Sequence, residues 1–152
     1  MRRIDKAVSD ASGINAIIQK ATVCRLGMVE ANRPYIVPLS FGFQDNTLYF
    51  HGALKGRKMD ILRDNPNVCV EFDISVEALK DADACNWSMR FQSVIGFGKA
   101  TLVEGLEPKR QALGIIMAHY SDKTFAFPEK KINATAVIKV EIEKMTGKQS
   151  GF

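Results

Sequence analysis

The sequence predicts a mainly β fold, a largely antiparallel barrel of about six strands with peripheral helices. Three observations carry this. Several short segments place apolar side chains at every second position, the period of a strand with one buried face. Short polar stretches rich in Asn, Asp, Gly and Pro join them, too short for the helical crossovers that parallel strands need. Helical periodicity is confined to two or three stretches. A chain of 152 residues without linker, internal repeat or low-complexity tract fits one domain over 1–152.

The elements follow in order. Ile14, Ile17 and Ile18 recur at helical spacing behind Ser12 or Asp10 as a cap, giving a short amphipathic helix to about Lys20. Thr22 to Val29 reads as a strand, and Glu30-Ala31-Asn32-Arg33-Pro34 turns into the next. There Tyr35, Val37, Leu39, Phe41 and Phe43 share one face, and Ile36, Pro38, Ser40 and Gly42 the other. Gln44-Asp45-Asn46 closes a hairpin into Thr47–His51. Gly52 to Gly56 interrupts the pattern, and Arg57 to Asp64 is a short helix that Pro66 ends. Asn67 to Asp73 is a strand; Ile74 to Asn86, acidic and weakly periodic, reads as a surface excursion with some helix. Trp87 to Val103 returns to strand. Pro108 suits the first position of a helix whose stripe is Leu113, Ile116, Met117 and Tyr120. Ala136, Ile138, Val140 and Ile142 alternate with Val137, Lys139, Glu141 and Glu143 in the clearest half-buried strand.

Composition excludes several classes. Charges break every apolar stretch far below the roughly 20 residues that span a bilayer, so no transmembrane helix is expected. The start, Met1-Arg2-Arg3-Ile4-Asp5-Lys6, lacks the apolar run of a secretory signal, and a cytoplasmic protein is expected. Cys24, Cys69 and Cys85 are too few and too scattered for a disulfide framework. Cys24 and Cys69 read as buried thiols, and Cys85, in a polar stretch, as an exposed one. With His51 and His119 alone and no Cys-x-x-Cys, no metal site is proposed. Net charge is +4, with the basic residues scattered except at Lys55, Arg57 and Lys58. That points to a small anion before nucleic acid.

Three places could carry chemistry. Gly52-Ala53-Leu54-Lys55-Gly56-Arg57-Lys58 lies between a strand end and a helix start, where free N–H groups, the helix dipole and the cations favour an anion. It lacks the Gly-Lys-Ser/Thr ending of a Walker loop, and taken alone it is a weak motif that reads more readily as a solvated basic helix start. Pro38, inside Val37-Pro38-Leu39-Ser40, removes a ladder donor and so marks an edge or a bulge. Such an edge, with Gln92-Ser93-Val94, suits a flat heterocycle with polar rim atoms, or is an ordinary edge strand. His51, at the strand end before the glycine turn, is either a ligand-facing acid–base group or a structural histidine. His119, late in its helix, is explained by a favourable helix-end interaction.

Four blocks in this order resemble the pyridoxamine-phosphate-oxidase-like superfamily of flavin-binding split barrels, in the branch related to nitroimidazole resistance proteins. They are Pro34 to Gly42, Leu48 to Lys58, Asn65 to Asp73 and Ser93 to Ala100. The resemblance covers nearly the whole chain. It implies a six-stranded split barrel that forms a homodimer, with FMN bound at the subunit interface and both subunits contributing. Val37, Pro38, Leu39 and Ser40 would lie along the isoalloxazine ring. Gly52, Lys55, Gly56, Arg57 and Lys58 would hold the phosphate end, Gln92, Ser93 and Val94 would line the other side, and His51 would face the flavin as the candidate catalytic residue. The ending Glu143 to Phe152 lacks the arginine and aromatics with which true pyridoxamine phosphate oxidases grip their substrate, so vitamin B6 oxidation is disfavoured.

The function implied is an FMN-dependent oxidoreductase reducing nitroaromatic or similar electron-poor small molecules with NAD(P)H-derived electrons. A flavin-binding protein without turnover is the alternative. A haem-binding barrel, or a basic barrel stacking single-stranded nucleic acid on Tyr35, Phe41, Phe43, Tyr49 and Phe50, ranks below both, since the alternation assigns those aromatics to the core.

Overall fold

The computed structural model describes residues 4–152; the reading of the charged start, which begins at Met1, lies partly outside them. Asp10 accepts a hydrogen bond from the Gly13 N–H at 2.7 Å and starts α1 (Ala11–Lys20). Ile14, Ile17 and Ile18 of α1 are buried. The short β1 (Ala7–Val8) precedes it. Strands β2 (Cys24–Glu30) and β3 (Arg33–Leu39) meet at Ala31 and Asn32, with φ of 45° and 65°. This left-handed pair matches the right-handed twist of the strands it joins. The chain crosses at Ser40-Phe41 into β4 (Gly42–Gln44), turns the same way at Asp45-Asn46, and continues as β5 (Thr47–Gly52).

Then come α2 (Arg57–Asp64), β6 (Asn67–Leu79), β7 (Ser88–Leu102), α3 (Leu106–Tyr120), α4 (Glu129–Asn133) and β8 (Ala136–Ser150). One antiparallel sheet runs in the order β3-β2-β6-β7-β8-β5-β4, with β1 added to β8. Its two ends, β3 and β4, are consecutive in the chain, so the barrel stays split where Ser40-Phe41 crosses. Inside, Leu26, Phe41, Leu48, Phe50, Phe72 and Ile138 are all fully buried and bring both halves into one core.

Among the described residues the strand count is eight, not six. The extra strands are short: β1 gains its partners only from the far end of the chain, and β4 is the continuation of the Tyr35–Phe43 alternation beyond the crossing. The Ile74–Asn86 excursion is also corrected. β6 continues to Leu79 through a bulge at Ser75 (φ 56°), and only Ala84–Asn86 forms a 3₁₀ turn. This arm is largely exposed on both faces, so no hydrophobic period marks it. β8 likewise runs on to Ser150 as the partner of β7, past a register shift at Phe97/Gly98. α3 begins at Leu106, placing Pro108 inside its first turn, where no N–H is missed. The thiols are free, with Cys24 buried, Cys69 half-buried and Cys85 exposed. Among the described residues no helix is long and apolar enough to cross a membrane.

Candidate functional site

β5 delivers His51 and Gly52 to the rim of the barrel, and an open turn leads to α2. Gly56 takes φ 128° with nothing near the position a Cβ would occupy, a conformation glycine alone adopts without strain. Among the described residues no side chain caps α2. Its first hydrogen bonds run from Met59 N and Asp60 N to Gly56 O at 2.9 and 3.1 Å. The backbone N–H groups of Arg57 and Lys58 therefore point outward at the positive end of the helix.

Lys58 folds back over β5, and its Nζ lies 3.1 Å from where a Cβ on Gly52 would stand. Any other residue at 52 would crowd this amine. Lys58 is half-buried, burial pushes its ammonium below the ordinary lysine value, and it has no hydrogen-bond or ion-pair partner among the described residues. A partly desolvated cation beside free helix N–H groups is arranged for an anion. Lys55 is exposed on the same turn.

Arg57 points elsewhere. Its Nε and Nη2 both donate to Glu30 Oε2, at 3.0 and 2.7 Å, and its guanidinium carbon lies 4.4 Å from the centre of the Tyr35 ring. Glu30 and Tyr35 flank the β2–β3 turn.

At the split, Ser40 Oγ lies 3.3 Å from His51 Nε2, both exposed. Helix α3 fixes the crossing. The Tyr120 hydroxyl accepts from Phe41 N at 2.9 Å and donates to Thr22 O at 3.0 Å. The His119 ring packs tilted against that of Phe41, centroids 4.2 Å apart, and bonds Ala21 O through Nε2 at 2.7 Å. Sequence reasoning gave Tyr120 only a place in a stripe and His119 a helix-end role; their partners are 79 and 98 residues away, and no local signal reveals them. Beneath His51 a cavity of about 220 Å³ is lined by apolar groups of Leu113, Ile116, Met117, Phe127 and Ile132.

The ring-facing residues named from the sequence occupy the open edge. Pro34 and Pro38 pair with Val29 and Arg25, and because proline donates no N–H these are non-hydrogen-bonded positions. Tyr35, Val37 and Leu39 therefore bond β2. The Ile36 N–H and the carbonyls of Pro34, Ile36 and Pro38 face off the edge. The structure thus brings Pro38, Ser40, His51, Gly52 and Lys58 to one end of the split. It does not bring Gln92, Ser93 and Val94 there. Val94 is fully buried, Gln92 donates to Gln149 Oε1 at 3.1 Å, and Ser93 is half-buried. Leu102 of β7, which pairs with Ile138 next to the Val137–His51 pair, is roughly 26 Å along the strand from Val94.

Comparison with known proteins agrees with this architecture. Residues 10–149 match the pyridoxamine 5'-phosphate oxidase family. A crystal structure from Bacteroides thetaiotaomicron, assigned to 5-nitroimidazole antibiotic resistance, is 36% identical, with a TM-score of 0.85 over 93% of this chain and 85% of that one. A flavocytochrome of Azotobacter vinelandii is 22% identical, TM-score 0.86, over 100% and 72% of the two chains. A FAD- and heme-binding protein of Mycobacterium smegmatis is 17% identical, TM-score 0.87, over 97% and 74%. These two share the fold. No curated protein matches the chain significantly. From the split sheet, the glycine turn before α2 and a family match over nearly its whole length, the chain belongs to the pyridoxamine 5'-phosphate oxidase-like split-barrel family, in the branch related to nitroimidazole resistance proteins.

Proposed function

We propose that this chain is a cytoplasmic, homodimeric flavoprotein that binds FMN and reduces small electron-poor aromatic molecules, nitro compounds among them, with electrons from NAD(P)H. The observation that carries the reading is Lys58, a half-buried ammonium without a counter-charge among the described residues, set over Gly52 beside the free N–H groups of α2. A phosphate monoester answers all of these at once. The open β3 edge offers one donor, the Ile36 N–H, and the carbonyls of Pro34, Ile36 and Pro38 as acceptors, and Ser40 and His51 lie at its end, as a flat ring with polar rim atoms requires. The cavity under His51, at about 220 Å³ and mostly apolar, exceeds the roughly 150 Å³ that takes one benzene ring. That size and lining favour a single-ring substrate, consistent with the resistance protein to which the chain is similar.

A flavin held there would supply hydride or single-electron transfer. The chain's own residues bind and orient: Lys58 and the Arg57 and Lys58 N–H groups anchor, the β3 edge aligns, and the Ser40–His51 pair offers a proton at the cavity mouth. Gln92 to Val94 are too distant to serve the same protomer's site, and a second copy supplies this segment through its Gln92 and Ser93 side chains, with Val94 packed in the core beneath them. An exposed face on β3, β2, β6 and β7 suits that assembly. Ile36, Gly27, Cys69 and Phe97 form one row across it, with Ile36 and Phe97 exposed at 62% and 53% and Ile95 beside them.

The test is the absorption spectrum of the purified protein and the mass of its extracted cofactor, followed by anaerobic reduction with NADH or NADPH and reoxidation by a nitroimidazole. Oxidised-flavin bands, the mass of FMN and both half-reactions are expected. A FAD mass corrects the cofactor, a Soret band replaces flavin by haem, and a flavin that stays oxidised with either donor leaves a binding protein without turnover.

A further inference from the structure

We propose that the cavity beneath His51 takes a single-ring aromatic acid, with its ring between α3 and α4 and its carboxylate on Lys131. The proposal rests on the reading of this cavity as the substrate's place, and adds the charge of that substrate. The apolar walls suit the ring: Leu113 and Met117 of α3, with Phe127 and Ile132 of the segment that follows, enclose about 220 Å³. Three side chains add polar groups to that lining, His51, Lys131 and Thr135, and among the described residues no carboxylate does. Thr135 Oγ1 is committed, donating to Lys131 O at 2.8 Å. The Lys131 ammonium, exposed at the rim, has no hydrogen-bond or ion-pair partner among the described residues.

The local fold selects Lys131 from the run Glu129-Lys130-Lys131. Ile132 is fully buried and fixes the rotation of α4, so that Lys131 lines the cavity while Glu129 and Lys130 do not. The segment is held to α3 at both ends. Arg110 Nη1 donates to Phe127 O at 2.7 Å, and Lys109 Nζ donates to Thr135 O at 3.0 Å. Two further cations thus stand at the ends of a wall whose residues face the cavity. Arg110 shares its charge with Glu107, but Lys109 has no carboxylate partner among the described residues. Beside apolar walls such charges are screened less than in open water. A ring bearing a carboxylate neutralises this wall, and a ring bearing an amine is repelled by it.

Para-nitrobenzoate and para-nitrobenzamide separate charge from shape, because they share the ring and the nitro group. Binding of each to the purified protein is read by isothermal titration calorimetry, which needs no flavin signal, with the flavin content of the same sample measured alongside. The acid is expected to bind about 3- to 10-fold more tightly than the amide. Lys131→Met is expected to remove that preference and leave the amide unchanged. Lys131→Arg keeps the preference, Lys131→Glu reverses it, and raising the salt about tenfold shrinks it. Leu113→Trp, which fills the cavity, is expected to weaken both compounds.

An acid that binds no better than the amide overturns the proposal. So does a Lys131→Met protein that loses both compounds equally, since Lys131 then acts by packing. If Lys58→Met removes the preference and Lys131→Met does not, the carboxylate sits at the glycine turn, and the proposal is again overturned. If Leu113→Trp spares both compounds, they bind outside the cavity, with the same consequence. A protein that shows the Lys131-dependent preference but carries no flavin upholds the aromatic-acid site and overturns the flavin reading alone.

Discussion

Lys58, which we propose binds the flavin phosphate, acts against the stability of the empty protein. Burial holds its ammonium below the ordinary lysine value of 10.5, so the unfolded chain binds this proton more tightly than the folded one. Below the folded-state value both states are protonated and the desolvation penalty is fully present. Between that value and 10.5 the unfolded state holds the extra proton, and stability of the apo protein gains with rising pH. Lys58→Met removes the penalty and keeps the aliphatic stem. We expect it to raise the thermal midpoint of the apo protein by about 1 °C or more at pH 7, with the gain shrinking towards pH 10.5. A midpoint that falls instead would show that the ammonium has a stabilising partner. The cluster Lys55, Arg57, Lys58 was visible in the sequence as a charge concentration, but which cation lies half-buried over Gly52 was not. Glu30 lies 27 residues from Arg57 and carries no local mark of the pairing.

At the scale of elements, the decisive contact is between the end of α3 and the crossing that leaves the barrel split. Phe41 N leaves β3 and has no strand partner at the gap, and the Tyr120 hydroxyl answers it while donating to Thr22 O. Tyr120→Phe keeps the ring against Phe41 and strands that N–H. A loss of about 1–2 kcal/mol in urea unfolding is expected, together with weaker flavin binding, since Ser40 is the neighbour of Phe41. Unchanged stability would mean that water replaces the hydroxyl. The elements themselves were legible wherever one face was buried, as in α1, α2, β5 and the first half of β8. They were illegible where pairing alone makes the strand. The β6–β7 arm and the end of β8 have little hydrophobic alternation, and each is a strand because its neighbour offers hydrogen bonds.

For the whole molecule, the placement of Gln92 to Val94 makes the proposed site depend on the proposed dimer. The exposed row from Ile36 to Phe97 lies on the face where a second copy would seat, with the Arg25 ion pairs to Glu71 and Asp73 beside it. The protein is expected to scatter light as a particle of twice the 16.9 kDa chain. Phe97→Glu puts a charge in the middle of that row and is expected to yield monomer with at least a tenfold loss of flavin affinity. A Phe97→Glu protein that stays dimeric would move the interface to another face.

The sequence by itself determined the strand-rich class, the capped first helix, the proline-marked edge and the basic glycine turn, because each is written in neighbouring residues through side-chain period, cap chemistry or backbone restriction. Tertiary structure decided that the sheet has eight strands and stays open between β3 and β4. It also decided that Lys58 lies half-buried over Gly52 without a partner among the described residues while Arg57 is held by Glu30 and Tyr35, and that Gln92 to Val94 lie far from His51. These depend on pairing between residues distant in the chain, which local periodicity does not encode.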